Sequence, residues 1–380
     1  MAAHAPVGVL LSDRIIQDRR FMSLAIALGR RNLGATWPNP SVGAVLVQHQ
    51  NDGPLIIAVG ATQAGGRPHA ERVALARAGE RARGGTLYVS LEPCSHHGKS
   101  PPCIDAIMEA GVARVVSAIE DPDGRVAGRG HDRLRQAGIE VDVGCMSREA
   151  LRAHRGHIVR VTEGRPFVTV KLARTTEGFA GVREGPRLMI TDEIANGRVH
   201  LMRAHTDAVL VGIETILADD PLLTVRLPGL EDRSPVRVVL DSSLRIPMAS
   251  RLVAGARAHP TWIVTTLTAP VHVERALMEA GVEVLRVPAD ASGRVSLPEA
   301  LRLLGERCLT RLFCEGGPAL ADALAQGDLI DELVLVTGGS GRGRGDIPAL
   351  GHSLQEKMDE LVLVGDEQLG SDLFMFWEKP

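Results

Sequence analysis

Aromatic residues are scarce in this chain, at 3% of 380 positions, so its core must rest on Leu, Val, Ile and Ala. Surplus positive charge is missing too. The formal net charge of -3 excludes the broad basic footprint that binding to nucleic acid draws on. No apolar run reaches the roughly 20 residues of a bilayer span, so no membrane partner is expected. The start, Met1 to Asp13, has no basic flank followed by an apolar core and does not resemble a secretory leader. Five cysteines form no disulfide framework and fit a reducing cytosol, which predicts a cytoplasmic protein. No G-x-G-x-x-G follows an early strand, so a Rossmann cofactor domain is unsupported. Internal repeats and long low-complexity tracts are absent as well. What remains is an ordinary globular composition, 44% hydrophobic and 23% charged, at a length that admits two or three domains.

Three soft metal ligands stand out against this background. His69-Ala70-Glu71 is followed by Pro93-Cys94 and then Pro102-Cys103. One imidazole and two thiolates suit Zn²⁺ and leave a fourth position open, the mark of a catalytic rather than a structural site. Glu71, two residues from the histidine, is free to move protons. The set matches the signature of zinc-dependent deaminases, in which the glutamate is the acid/base and not a ligand. Here Ser95-His96-His97-Gly98-Lys99-Ser100-Pro101-Pro102 separates the cysteines, a longer insert than the short signature carries. The other thiols, Cys145, Cys308 and Cys314, lie in or beside apolar stretches and are expected as buried core groups.

Helical and strand patterns alternate through the first half. Helices are expected at 20–31, 70–83, 103–110 and 131–136, and strands at 42–47, 86–91, 112–119 and 139–143. His69 and Cys103 then each open a helix, where the partial positive charge of the N-terminus favours thiolate. Residues 147–164, polar and rich in Arg and His, are expected as a connecting helix and linker between domains at 15–146 and 165–380. The second domain shows strands at 166–171, 207–211, 236–241, 261–266, 282–287, 311–314 and 333–337, with helices at 298–307 and 318–326. Both domains belong to the α/β class.

Thr36 to Val45, His69-Ala70-Glu71, the whole run Leu91 to Cys103, Asp121-Pro122 and Val126 to Gly130 together resemble the bacterial bifunctional riboflavin-biosynthesis deaminase/reductase family, usually called RibD. The resemblance implies a cytidine-deaminase-like three-layer domain and a dihydrofolate-reductase-like domain. It implies Zn²⁺ and NADPH as cofactors and a diamino-pyrimidinone carrying a ribosylamino 5′-phosphate as substrate. A homodimer or higher homo-oligomer through the C-terminal domain is implied as well. By the same likeness Asn39, His96, Lys99 and Asp121 contact the deaminase substrate, and Lys171 polarises or protonates the sugar in the second reaction. Thr215, Asp219, Ser242, Gly317, Pro318 and Ala319 contact NADP, and Arg203, Leu223, Arg226 and Glu315 the reductase substrate. The chain departs from the family at Arg174, Glu177, Phe179, Arg187 and Met189, and Gly338 to Gly345, with Arg342 and Arg344, replaces a usual motif. A cation at 174 or 187 would stand where nicotinamide enters, which leaves a second reading open: a deaminase with an inactive C-terminal scaffold. A third, a zinc-stabilised binding protein without activity, predicts no ammonia release from any diamino-pyrimidinone.

Overall fold

The computed structural model describes residues 7–98, 100–124, 126–184, 188–339 and 345–380. The chain divides into two compact units, Met1–Glu163 and Gly164–Pro380, each with its own hydrophobic core. No helix among the described residues is long and apolar enough to cross a membrane.

The first unit runs α1 (Val7–Arg30), β1 (Gly43–Gln50), β2 (Gly53–Ala61), α2 (Ala70–Ala78), β3 (Thr86–Val89), α3 (Cys103–Glu109), β4 (Arg114–Ser117), α4 (Arg129–Gln136), β5 (Glu140–Val143) and α5 (Ser147–Glu163). Its sheet has the order β2-β1-β3-β4-β5, antiparallel over the first three strands and parallel over the last three. Side chains alternate across a sheet, so Gly43 of β1 and Gly60 of β2 lie on opposite faces: Gly60 pairs with Ala44, the neighbour of Gly43. A methyl on Gly43 would meet the Ala25 carbonyl of α1 at 1.9 Å, and one on Gly60 the Ala70 carbonyl of α2 at 2.1 Å. Two bare backbones thus let one helix dock on each face, giving three layers.

Three expectations are corrected here. The first helix begins at Val7 rather than near residue 20, and the helix from Ala70 stops at Ala78, followed by a 3₁₀ turn. The edge strand β2, whose Leu55 and Ile56 face solvent, was not anticipated. The connecting helix expected at 147–164 is present as α5, but it does not serve as a linker: it packs on α1 and buries Ala150, Ala153, His154, Gly156 and His157 in the first unit.

The second unit contains β6 (Phe167–Arg174), β7 (Phe179–Gly181), α6 (Glu193–Ala204), β8 (Ala208–Gly212), α7 (Ile213–Asp219), β9 (Val236–Leu240), α8 (Arg251–Ala254), β10 (Thr261–Thr266) and α9 (Val271–Glu279). It continues with β11 (Glu283–Val287), α10 (Leu297–Glu306), β12 (Arg311–Cys314), α11 (Pro318–Gln326), β13 (Glu332–Thr337), β14 (Ile347–Pro348), α12 (His352–Glu360), β15 (Val362–Leu369) and β16 (Asp372–Glu378). Nine strands form one sheet in the order β11-β10-β9-β8-β12-β6-β13-β16-β15. It is parallel from β11 to β13, and a C-terminal antiparallel hairpin closes one side. That hairpin was also unanticipated. In an open parallel sheet ligands bind beyond the carboxyl ends of the strands, and β6, β8, β9 and β12 end side by side.

Candidate metal centre and strand-end cleft

His69 immediately precedes α2, Cys94 lies in the loop after β3, and Cys103 is the first residue of α3. The fold brings these three together: their ligand atoms all lie within 4.8 Å of one another. His69 Nδ1 is 3.6 Å from Cys94 Sγ and 3.3 Å from Cys103 Sγ. Zn–N and Zn–S bonds of about 2.05 and 2.3 Å at a tetrahedral angle set nitrogen and sulfur roughly 3.6 Å apart, so the donor set fits zinc. The expected help from a helix start is present, because the Cys103 N–H donates to Cys94 Sγ at 3.3 Å.

The two sulfurs polarise each other. A hydrogen bond from Cys103 holds the Cys94 thiol down at about 4, against the opposing effect of burial and with help from His69. The Cys103 thiol is pushed up by the Cys94 sulfur and by burial. His69 is raised through its hydrogen bond to Cys94. Glu71 is 3% exposed, and burial, reinforced by the Cys94 charge, raises its carboxyl above the usual carboxylate range. A carboxyl so placed can hold a proton nearer neutrality, as an acid/base requires.

Around this centre, Asn39 donates from Nδ2 to the Gly66 carbonyl at 2.8 Å. His96 is half-buried, and its Nδ1 meets no hydrogen-bond partner among the described residues. Lys99 lies outside the described residues. Asp121 is buried; its Oδ1 accepts from His157 Nε2 and from the Asp123 N–H, both at 2.9 Å. Sequence reasoning missed the groups that brace these: Glu92, His157 and two arginines. Arg67 Nη1 donates to Ser100 Oγ at 2.8 Å, and Arg72 Nη2 to the Pro101 carbonyl at 3.2 Å, so both tie down the inter-cysteine insert. Only their nearness to His69 in sequence pointed to them. Of the three thiols expected in the core, Cys314 is buried, while Cys145 and Cys308 are only half-buried. The positive φ of 64° places Cys308 in a turn at the surface end of α10.

In the second unit the strand ends gather most of the remaining residues. Lys171 lies on β6, Thr215 and Asp219 on α7 after β8, Ser242 just beyond β9, and Glu315 to Ala319 just beyond β12. Arg203 of α6 forms a two-pronged pair with Glu315, Nε to Oε1 at 2.5 Å and Nη2 to Oε2 at 2.9 Å. Burial works to raise the Glu315 carboxyl, but the Arg203 charge, with Lys171 and His200, carries it below the usual range. Arg203 Nη1 also donates to the Thr224 carbonyl at 3.1 Å, and His200 Nδ1 accepts the Arg226 N–H at 3.2 Å. Two side chains one turn apart on α6 therefore clamp the segment carrying Leu223 and Arg226. Leu223 is buried with φ of 55°, a left-handed conformation, and the segment is held further by Ser234 Oγ accepting the Val225 N–H at 3.0 Å and Arg237 Nη1 donating to the Leu222 carbonyl at 3.4 Å.

Ser242 Oγ accepts the Val295 N–H at 3.0 Å, while Gly317, at the start of α11, has open space where a side chain would stand. A bare helix start beyond a strand fits a phosphate of a dinucleotide. Arg174 does not hang free: its Nε donates to Thr337 Oγ1 on the adjoining β13 at 3.1 Å. Met189 is exposed, Glu177 accepts from Thr176, and Phe179 lies on β7. Arg187, Arg342 and Arg344 lie outside the described residues.

A family model described as the cytidine and deoxycytidylate deaminase zinc-binding region matches residues 15–119, and one described as the RibD C-terminal domain matches residues 166–372. The riboflavin biosynthesis protein RibD of Aquifex aeolicus is 37% identical over 368 residues, 95% of this chain and 98% of that protein. Its namesake in Escherichia coli is 38% identical over 371 residues, 93% of this chain and 98% of that protein. The solved structure of Acinetobacter baumannii RibD, form 2, superposes with a TM-score of 0.84 at 31% identity, covering 97% of this chain and 100% of that one. A diaminohydroxyphosphoribosylaminopyrimidine deaminase/reductase from Thermotoga maritima gives 0.80 at 32% identity, covering 97% of this chain and 100% of that one.

Proposed function

This chain belongs to the RibD family of riboflavin-biosynthesis enzymes, and on that premise we propose how its own residues divide two successive reactions. The protein is a bifunctional enzyme, with a zinc-dependent deaminase domain and an NADPH-dependent reductase domain acting on a small pyrimidine substrate. Relatives matched along nearly the whole chain favour two activities over a deaminase with an inert scaffold. The proposed substrate is a diamino-pyrimidinone bearing a ribosylamino 5′-phosphate, which loses an amino group as ammonia before its ribosyl chain is reduced to ribityl.

His69, Cys94 and Cys103 hold the metal in this reading. When bound, zinc supplies a Lewis acid that brings the pKa of a coordinated water from 15.7 toward ~7. Glu71 takes the proton of the attacking water and passes it to the ring nitrogen; it then carries the proton of the new hydroxyl to the amino group, which leaves as ammonia. Asn39 orients the ring or sugar, since its amide donates and accepts. His96 and Lys99 meet the phosphate, and Asp121 the ribose hydroxyls. In the second unit NADPH supplies hydride, with Thr215, Asp219, Ser242 and the start of α11 at Gly317, Pro318 and Ala319 as its seat. Lys171 holds a proton at the sugar oxygen that becomes a hydroxyl when the ring opens. Arg203, Arg226, Leu223 and Glu315 shape the substrate side.

One observation carries the reading: an imidazole and two sulfurs converge with a buried carboxyl two residues from the histidine. Its test is ammonia release from the diamino-pyrimidinone by zinc-loaded protein, followed by NADPH oxidation on the deaminated product. Zinc-loaded protein that releases no ammonia refutes it. We also propose a cytoplasmic homo-oligomer joined through the second unit. The support is β15, a sheet-edge strand on which Val362, Leu363 and Val364 are 50%, 49% and 40% exposed.

A further inference from the structure

Glu92 is a carboxylate with no solvent-exposed side-chain surface, two residues before Cys94, and the reaction scheme gives it no task. Lone buried carboxylates are costly, so its partners explain its presence. Oε2 accepts the N–H groups of Asp121 at 3.2 Å and Gly128 at 2.9 Å, and Oε1 those of Gly130 at 2.9 Å and His131 at 3.4 Å. Four backbone donors, two from the loop after β4 and two from the first turn of α4, therefore converge on one side chain of the segment that carries a zinc ligand. The Val126 to Gly130 motif acquires a physical reason from this. Gly128 has φ of 79°, and a methyl on Gly130 would meet the Pro93 carbonyl at 2.4 Å and Glu92 Oε1 at 3.0 Å. Gly128 thus supplies a left-handed turn, and Gly130 lies flush against Glu92-Pro93 because it lacks a side chain. The other end of the loop is fixed from a different helix, where His157 of α5 donates Nε2–H to Asp121 Oδ1 at 2.9 Å.

We propose that Glu92 is a positioning residue of the deaminase: it holds the backbone at Asp121, at Gly128 and at the start of α4 in register with the metal-binding segment, so that Asp121 meets the sugar end of the substrate. The inference rests on the substrate contact assigned above to Asp121. Glu92 touches neither metal nor substrate and acts through the loop. An amide in its place, as in Glu92→Gln, turns an NH₂ group toward backbone N–H donors and can satisfy only part of the set.

The test uses the full-length, zinc-loaded enzyme, with zinc content, ammonia-release kinetics and reductase turnover measured on each variant. Glu92→Gln is expected to raise KM for the phosphorylated pyrimidine about tenfold or more, with one zinc per chain and reductase turnover retained. Asp121→Asn should raise KM as well, and the double variant should lose less than the product of the two single effects. Gly130→Ala moves the loop while keeping the carboxylate; it should also raise KM, and it decides the matter if Glu92→Gln does not fold. Wild-type KM in the Glu92 variant, or in Gly130→Ala standing in for it, overturns the proposal. So does zinc loss in step with activity, which makes Glu92 a support of the metal segment alone. Wild-type KM in Asp121→Asn, with Glu92→Gln impaired, removes the Asp121 contact instead and with it the route by which Glu92 was to act.

Discussion

Glu71→Gln separates metal binding from proton transfer. The amide keeps the size of the side chain but cannot take a proton from water, so zinc should remain at one per chain while ammonia release falls roughly 10²–10⁴-fold. A variant that still turns over near the wild-type rate removes the acid/base role. Cys94→Ser should behave in the opposite sense, losing zinc first, because a hydroxyl is a poorer ligand for this metal than a thiolate. A pH effect belongs to His200. Burial, followed by the charges of Arg203 and Arg226, pushes it down to about 4. In the unfolded chain it would take up a proton near 6.5, whereas the folded site refuses one until about 4. Its contribution therefore makes the fold less stable as pH falls from about 6.5 to about 4, and has no slope above that window. Denaturant titrations of His200→Asn across this range should show a shallower acid-side decline than the wild type; an unchanged slope refutes the assignment.

At the scale of elements, the metal site depends on how closely α2 rides on the sheet. Gly60→Ala would force a methyl to 2.1 Å from the Ala70 carbonyl and 2.7 Å from the Ala74 N–H. The helix carrying Glu71 must then shift, at a cost of about 1–3 kcal/mol in stability. Lower zinc occupancy and a lower melting temperature are expected together, and wild-type values for both refute the packing argument. The elements that bear the candidate ligands were legible because strand, turn and helix each left a mark: a short buried run, glycine or proline, then periodic apolar residues. Those that escaped notice are sheet margins. The strand β2 keeps apolar residues on its exposed face, and β15 has three in a row, so neither shows the alternation that reveals a half-buried strand.

For the whole molecule, the two cores are separate, and removal of the metal should be felt unequally. Chelation of zinc is expected to abolish ammonia release and lower the unfolding temperature of the first unit, while saturable NADPH binding by the second persists. Loss of both at once contradicts independent units. Leu363→Glu, a charge on the edge of β15, should reduce the oligomer to monomers by light scattering with the reductase fold intact. An unchanged mass excludes that strand as the contact.

The trio His69, Cys94 and Cys103 that converges in the fold, and the class of both domains, were legible in local sequence alone, because residue type and spacing along helix-starting turns depend only on near neighbours. The likeness to RibD rested on the same contiguous motifs. Tertiary structure alone decided which polar groups meet across long stretches of chain: Glu92 with a loop some thirty to forty residues on, His157 with Asp121, and Arg203 with Glu315. A single carboxylate or arginine leaves no periodic trace. Its partner is fixed by where two elements pack, and that is a property of the assembled core rather than of any segment.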